Sequence, residues 1–383
     1  MNSSQKEIFN MATNKILEEI LEKRDFLPIL KMNDGTPVTL ENWDARRLEM
    51  LELLREYSYG RGPRVTVKRV YGSFISSEWN CYAFKVKNER VEVFFETEYG
   101  TASFPVEFFI PQNVEKPPVF LHLAFGNVPN KYIPVEEITD AGYALCVVFY
   151  KDMVNDNDFE DFSDGLGAYF GMSGKRRPDE WGKIGLWSFG ASRVLDYMET
   201  RDDIDAKRVA IIGHSRLGKT ALWCGAQDER FAAVISNNSG YGGAASSKRG
   251  TGERVNDFIR VGSYDWFCEN FKLFRDEKED FKPYDQSFLL ALVAPRYLLV
   301  GSAEDDAGAD PENEFLTTLH ASQAWELFGK KGLLTPDEMP KAGTSLDEGN
   351  IHYHLRANGH FLSREDWGKY IKFLDEKFKG EDK

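Results

Sequence analysis

The sequence predicts an α/β protein built on a mostly parallel, doubly wound sheet with helices on both faces, and three observations carry that expectation. Between residues 119 and 300, short apolar runs such as Val119-Phe-Leu-His-Leu123, Tyr143-Ala-Leu-Cys-Val-Val-Phe149 and Tyr297-Leu-Leu-Val300 alternate with helix-length segments. Such alternation is the signature of βαβ units, whose crossovers cover both faces of a parallel sheet. The run Arg208-Val-Ala-Ile-Ile-Gly213-His-Ser215-Arg216-Leu-Gly218-Lys219 feeds a β-branched stretch into a glycine-flanked serine and then a helical pattern. Strand, sharp turn and helix in that order make the nucleophile elbow of the α/β-hydrolase fold, where the serine hydroxyl stands exposed above the sheet. Finally, 383 residues with 42% hydrophobic and 14% aromatic content supply the core of one decorated domain spanning 1–383.

Taken in order, residues 5–60 read as helical, with Thr39 as N-cap of an amphipathic helix carrying Trp43, Leu48, Leu51 and Leu54. Residues 1–62 thus form an N-terminal helical extension packed on the domain. Residues 64–111 alternate in strand fashion, as in Val91-Glu-Val-Phe-Phe-Glu-Thr97 and Val106-Glu-Phe-Phe-Ile110, with Tyr99-Gly100 as a hairpin turn. A helix around Trp187–Met198 precedes the elbow, and Ala232-Ala-Val-Ile-Ser236 follows it as a strand. The loop Ala124-Phe-Gly-Asn127 closes an earlier strand, where a second oxyanion N–H would arise. Tyr241–Asn256, rich in Gly, Ser and charge, reads as a loop over the pocket or as plain surface. Lys377–Lys383 is a charged tail expected to fray.

Ser215 is the candidate nucleophile, although a buried strand followed by a Gly/Ser turn also occurs in α/β proteins without catalysis. Its spacing is Gly-x-Ser-x-x-Gly, with Leu217 where the common pattern carries its second glycine. In this fold an acid and then a histidine follow the serine along the chain. The segment Ala294-Pro-Arg-Tyr-Leu-Leu-Val-Gly-Ser-Ala-Glu304-Asp305-Asp306 is a strand ending in three carboxylates, any of which could orient a base. Three of the six histidines lie close to the end of the chain. His360 sits in a glycine-containing loop, free to reach a serine, whereas His352 and His354 alternate along a strand-like run. Their spacing could suggest a metal, yet no neighbouring Cys or carboxylate completes a ligand set, so neither metal nor other cofactor is expected. Arg216 follows the nucleophile, where its backbone N–H would face an oxyanion and its guanidinium could add a charged donor. Lys219 lies one helical turn on, on the same face, in reach of a polar substrate group. For both cations the bland alternative is a solvated residue neutralised by nearby acids.

At these residues the chain resembles a family. Gly213-His-Ser-Arg-Leu-Gly-Lys-Thr-Ala-Leu-Trp223, Asp228-Glu-Arg-Phe-Ala232, Ser236-Asn-Asn-Ser-Gly-Tyr-Gly-Gly-Ala244, Ser302-Ala-Glu-Asp-Asp306 with Ala309-Asp-Pro311, and Gly359-His360 are similar to the bacterial glucuronoyl esterases, carbohydrate esterase family fifteen. Trp43-Asp-Ala-Arg-Arg47, Tyr59-Gly60, Trp187-Ser-Phe-Gly-Ala-Ser-Arg193, Asp196-Tyr197 and Asp366-Trp367 extend the resemblance over nearly the whole chain. It implies hydrolysis of an alkyl or aryl ester of (4-O-methyl-)glucuronic acid, the linkage between lignin alcohols and glucuronoxylan. It further implies Ser215 as nucleophile, His360 as base, Arg216 as oxyanion donor, and Lys219 and Glu253 as sugar contacts. The family carries its acid at one of two positions, here Asn238 and Asp306. An amide cannot stabilise an imidazolium as a carboxylate does, so Asp306 is expected, with Asp305 and Glu304 as fallbacks. Where the family usually carries a sugar-stacking tryptophan, this chain has Ala307-Gly308-Ala309, which implies a weaker, broader or different uronate specificity. Phe361 and Ser363 replace a commonly more polar pair after His360.

The remaining properties bound the reading. A net charge of −14 argues against nucleic acid and anionic membrane surfaces, and no apolar run approaches a membrane span. Cys81, Cys146, Cys224 and Cys268 lie far apart and read as buried free thiols. Met1-Asn-Ser-Ser-Gln-Lys-Glu7 has no apolar leader, which places this chain in the cytoplasm unless a secretion signal was removed. The expected partner is a uronic-acid-bearing carbohydrate ester met by a monomer. Two alternatives stand beside the glucuronate esterase: an acetylxylan esterase-like deacetylase using the same serine chemistry, and a catalytically weak carbohydrate-binding protein on the same fold.

Overall fold

The computed structural model describes residues 16–156 and 161–378. Among these, the strands are β1 (Arg69–Asn80), β2 (Val86–Thr97), β3 (Gly100–Pro111), β4 (Val119–Ala124), β5 (Ala144–Phe149), β6 (Val209–His214), β7 (Ala233–Asn237), β8 (Tyr297–Ala303), β9 (Ser345–Leu346) and β10 (Ile351–Arg356). They form one sheet in the order β1-β2-β3-β5-β4-β6-β7-β8-β10-β9. From β5 to β10 every pairing is parallel, whereas β1, β2, β3 and β9 join antiparallel. This is the expected α/β-hydrolase architecture, with hairpins on one edge and crossovers in the centre.

The central strands are buried on both faces, as parallel strands under helices must be. In β6, Val209 and Ile211 enter the core on one side of the sheet while Ala210 and Ile212 enter the core on the other, the period of two that a strand imposes. On the first side lie α2 (Lys183–Met198) and α3 (Arg216–Gln227), with Trp187 and Trp223 fully buried. The second side is covered by α5 (Arg364–Phe378), which sinks Trp367, Tyr370 and Phe373 against Phe120 and Ile212. Because β6, β8 and β10 run parallel, their carboxyl ends share one edge of the sheet.

Several expectations are corrected. Residues 16–60 are not one helical stretch: a helix over 16–24 is followed by a bridge between Lys31 and Pro37 and then by a second helix, α1 (Trp43–Leu54). Thr39 opens a tight turn at Leu40–Asn42, its N–H donating to Asn42 Oδ1 at 2.8 Å. In α1 the buried face is Trp43, Arg46, Arg47, Met50 and Leu54, and Leu48 is exposed. The β2–β3 hairpin turns at Glu98-Tyr99, because Thr97 already pairs with Gly100. Cys81 is only half-buried, unlike the other three thiols. The segment after Tyr241 becomes helical at Val255. Residues 5–15, the seven N-terminal residues and the tail from 379 lie outside the described residues. No helix among the described residues is long and apolar enough to cross a membrane.

The extension is tied directly to the elbow helix. Arg47 donates to the carbonyls of Leu292 at 2.6 Å and Ala226 at 3.2 Å. Tyr59, in the wide helical turn Arg55–Tyr59, stacks on Trp223 of α3 with ring centroids 4.5 Å apart. Its hydroxyl donates to Gly242 O at 2.9 Å and accepts from Gln286 Nε2 at 3.2 Å. We propose on this ground that extension and sheet unfold as one unit. Tyr59→Ala is expected to cost about 3–5 kcal/mol, by analogy with other buried aromatic truncations. Urea unfolding followed by circular dichroism and by tryptophan fluorescence should give one coincident, shifted transition; two separated transitions would make the extension an independent unit.

Candidate active site

Ser215 lies between the end of β6 and the first residue of α3 with φ 57 and ψ −128. Such backbone is strained for a residue with a Cβ and persists only where its surroundings enforce it. Enforcement comes from both flanks. The Ser215 N–H donates to Asn237 O at 2.9 Å, and its carbonyl accepts from the N–H groups of Gly218 at 2.9 Å and Lys219 at 3.2 Å. A Cβ on Gly213 would meet Leu217 O at 2.0 Å, so no other residue fits there. A Cβ on Gly218 would stand 3.1 Å from both Gly213 O and the Ser239 side chain, tighter than ordinary contact. The second glycine therefore does its work one position later than in the common motif, and Leu217 is free to bury itself fully in the core.

Of the three carboxylates after β8, Glu304 and Asp305 are exposed and Asp306 is buried. Asp306 Oδ2 meets His360 Nδ1 at 2.6 Å, across 54 residues of sequence. Burial would raise the Asp306 carboxyl, but the His360 hydrogen bond and charge, helped by Asn238, outweigh it and hold the group below its ordinary value. Asn238 Nδ2 donates to that same oxygen at 2.8 Å. The position where the resemblance offered an alternative acid thus serves Asp306 as a hydrogen-bond donor. Asn238 adopts φ 46, a left-handed conformation that asparagine tolerates well.

His352 and His354 lie fully buried in β10, away from the serine, with every ring nitrogen engaged. His352 Nδ1 meets Asp347 Oδ1 at 2.6 Å, the two rings meet at 2.8 Å through Nε2 and Nδ1, and His354 Nε2 meets Asp366 Oδ1 at 2.7 Å. Asp366 also accepts from Arg356 Nε at 2.9 Å and from Ser363 N at 2.7 Å. Arg356 in turn donates to the carbonyls of Ala357, Gly359 and Phe361, which fixes the loop bearing His360 from within. Ser363, a departure at the sequence level, is part of this frame. Phe361 stacks near Tyr132 at 4.6 Å, and Tyr132 packs on His214.

A cleft of about 590 Å³ opens beside Ser215, lined by Arg216, Lys219, Glu253, Trp266 and Gly308 among others. Lys219 is buried and donates to Ser239 O at 2.5 Å, with Glu253 Oε2 3.7 Å away. Desolvation lowers its pKa, opposed by the charges of Glu253 and Glu314. Arg216 is part-exposed and lies over the Trp266 ring at 4.3 Å. Ala307 and Gly308 line the same cleft and leave it open on their side. The loop reading of residues 241–254 over the pocket fits, since Thr251, Gly252 and Glu253 all face it.

Sequence reasoning missed two acids. Asp156 receives a hydrogen bond from Arg216 Nη1 at 2.5 Å. Glu314, from helix α4 (Pro311–Ala321), accepts from Ser239 N at 2.9 Å, Gly240 N at 3.0 Å and Ser302 Oγ at 2.6 Å, and so clamps the turn after β7. Burial pushes Glu314 up to about 7 against those donors. The Pro311 helix start was the available signal for Glu314, because it places an acid in the first turn; Asp156 had none.

A family model described as glucuronyl esterase, fungi, matches residues 93–329. A carbohydrate esterase from an unknown prokaryotic organism is 34% identical over 92% of this chain and 89% of its own length. A solved glucuronoyl esterase from Solibacter usitatus shares 35% identity with a TM-score of 0.82, covering 91% of this chain and 97% of that one. A promiscuous CE15 esterase from a marine bacterial metagenome shares 33% identity with a TM-score of 0.79, covering 91% and 96%.

Two outcomes follow from the geometry. Gly213→Ala can be accommodated only by moving the elbow backbone, so it should lower the urea midpoint and cut ester turnover by a factor of about ten or more in the protein that still folds; wild-type stability and turnover in this variant would refute the packing argument. Desolvation also pulls His122, His214 and His354 down from 6.5 to about 3, about 4 and about 4. Their folded values lie below the unfolded one, so the unfolded chain binds more protons in acid. The stability they contribute is complete above about pH 6.5 and is lost as pH falls toward about 4, by up to about 1.4 kcal/mol per pH unit for each histidine. Urea midpoints should therefore drop between about pH 7.5 and about pH 5, and His122→Gln should remove about one proton from that dependence; an unchanged slope would contradict it.

Proposed function

The chain belongs to the glucuronoyl esterases of carbohydrate esterase family fifteen, and from that premise we propose that Ser215, His360 and Asp306 form its acyl-transfer triad. It is a carboxylic ester hydrolase acting on esters of glucuronic acid. Curated relatives from Schizophyllum commune and Hypocrea jecorina are 4-O-methyl-glucuronoyl methylesterases, which supports (4-O-methyl-)glucuronate as the acyl group here. The observation that carries the site assignment is the 2.6 Å contact between His360 Nδ1 and the buried Asp306, on the same edge of the sheet as the strained serine.

His360 takes the hydroxyl proton of Ser215 as Oγ attacks the uronate carbonyl, and Asp306 stabilises the imidazolium that forms. The tetrahedral oxyanion lies at the start of α3, where the first N–H groups of a helix have no partners within it and point at negative charge. Arg216 adds a charged donor there, and the Ala124–Asn127 loop supplies the second N–H. His360 then returns the proton to the departing alcohol, leaving a glucuronoyl ester on Ser215 that water hydrolyses by the same steps in reverse roles. Lys219 and Glu253 hold the sugar hydroxyls. His214 beside the nucleophile does not compete as base: burial and its bond to Asn237 Oδ1 at 2.7 Å leave it neutral and engaged.

The test is hydrolysis of benzyl glucuronate beside an aryl acetate by wild type, Ser215→Ala and Asp306→Asn. Serine-dependent cleavage of the glucuronate is expected, with Asp306→Asn lowering kcat by about 10⁴, the loss seen when the orienting acid of a triad is neutralised. Acetate cleavage alone would favour the deacetylase reading, and a full rate in Asp306→Asn would remove Asp306 from the triad.

A further inference from the structure

We propose that Asp156 is the positioning residue for Arg216, fixing the guanidinium over the oxyanion site; the proposal rests on the role of Arg216 given above. Asp156 follows the short helix Tyr150–Met153 at the end of β5, 60 residues before its partner. Its side chain is only 3% exposed, while that of Arg216 is 30% exposed. The two carboxylate oxygens are divided between two donors. Oδ2 accepts from Arg216 Nη1 at 2.5 Å, and Oδ1 accepts from Tyr150 OH at 2.8 Å. Lys151 Nζ stands 3.7 Å from Oδ1.

The planar cation is bounded on its other sides as well. Its centre lies 4.3 Å from the Trp266 ring and 5.5 Å from that of Phe125, a residue of the loop after β4. Arg216 Nε is buried without a hydrogen-bond partner among the described residues. That edge is therefore closed to substrate, and the guanidinium meets an acceptor through its part-exposed Nη end, next to the nitrogen that Asp156 holds.

The sign of the charge argues for position over field. A carboxylate next to the guanidinium cancels part of its positive potential, which by itself weakens attraction to an oxyanion. Asp156 can therefore help the reaction only by orientation. A free arginine side chain carries about 2 kcal/mol of rotamer entropy, and fixing one edge in advance spares that loss at the moment of reaction. Because the fixed donor meets charge that develops only in the transition state, its loss belongs in kcat.

The experiment measures kcat and KM on benzyl glucuronate for wild type, Asp156→Ala, Asp156→Asn, Arg216→Ala and the Arg216→Ala/Asp156→Ala double variant. Asp156→Ala is expected to lower kcat by about 10- to 100-fold, part of the 10²- to 10³-fold that loss of a whole oxyanion donor costs, with KM within about twofold. Asp156→Asn keeps the bonding shape without the charge and should lose less; it carries the test if the alanine variant does not fold. In the Arg216→Ala background, removing Asp156 should change kcat by less than about twofold, a non-additivity that a purely structural residue would not show. An equal loss in both backgrounds, or a rise in KM at constant kcat, would overturn the proposal. Full activity in Arg216→Ala would sink the oxyanion role itself, and inactivity of the wild type on glucuronate would strike the substrate assignment, so the three failures are distinguishable.

Discussion

The site depends on one unfavourable backbone conformation. Ser215 is held at φ 57 because β6 delivers it upward while α3 must turn back beneath the sheet within one residue. That reversal brings the backbone of Gly213 closer to Leu217 than any side chain permits, and sets that of Gly218 tightly against Gly213 and Ser239. The strain is offset by burial on both sides of the turn: all six residues of β6 and nearly all of α3 are in the core. Because the neighbouring turn after β7 must nest against Gly218, its conformation is constrained as well, and that turn carries Asn238. The strained Ser215, the Asn238 donor to Asp306 and the first turn of α3 are consequences of a single close approach.

Polar groups taken out of water need partners, and here the partners are used to aim loops. Glu314 gathers two backbone N–H groups and the Ser302 hydroxyl, setting the turn whose Asn238 reaches Asp306 and whose Ser239 carbonyl receives Lys219. Arg356 plays the same part for the His360 loop, satisfying its inward carbonyls while Asp366 satisfies Arg356. The result is a half-exposed histidine, free to face substrate, on a loop anchored in the core. Precision comes from the buried charges beneath the loops and not from the loops themselves, which would otherwise be the mobile part of such a fold.

What could be read from the sequence is what local pattern encodes. The elbow announced itself because strand, glycine, serine and helix are consecutive, and the order of serine, acid and histidine along the chain limited the partners. Pattern could not choose among Glu304, Asp305 and Asp306, since a slip of one residue at a strand end exchanges an exposed carboxylate for a buried one. Leu48 alone of the expected apolar stripe was misplaced, because the buried face of α1, which does hold Trp43 and Leu54, is completed by Arg46 and Arg47, whose guanidiniums find backbone carbonyls. Asp156 was invisible because its meaning lies wholly in a contact made 60 residues away. His352 and His354, read as alternating residues of a strand, are buried in β10, where Asp366 links His354 to the Arg356 that holds the His360 loop.

On the proposed roles, the two cations of the cleft would favour the ester over its own product. Arg216 is paired with Asp156 and Lys219 lies near Glu253, so neither presents an isolated full charge to the pocket. A neutral uronate ester loses little by entering such surroundings, whereas the free uronate would have to exchange water for donors already shared with carboxylates, with Asp306 close by. In the proposed mechanism, attraction is strongest only while the oxyanion exists, when the Arg216 guanidinium held by Asp156 meets a charge that neither ester nor acid carries at that place. On the roles proposed for them, pairing the cations sacrifices ground-state grip on anions and keeps the directional part of their stabilisation, which is the part that speeds a reaction.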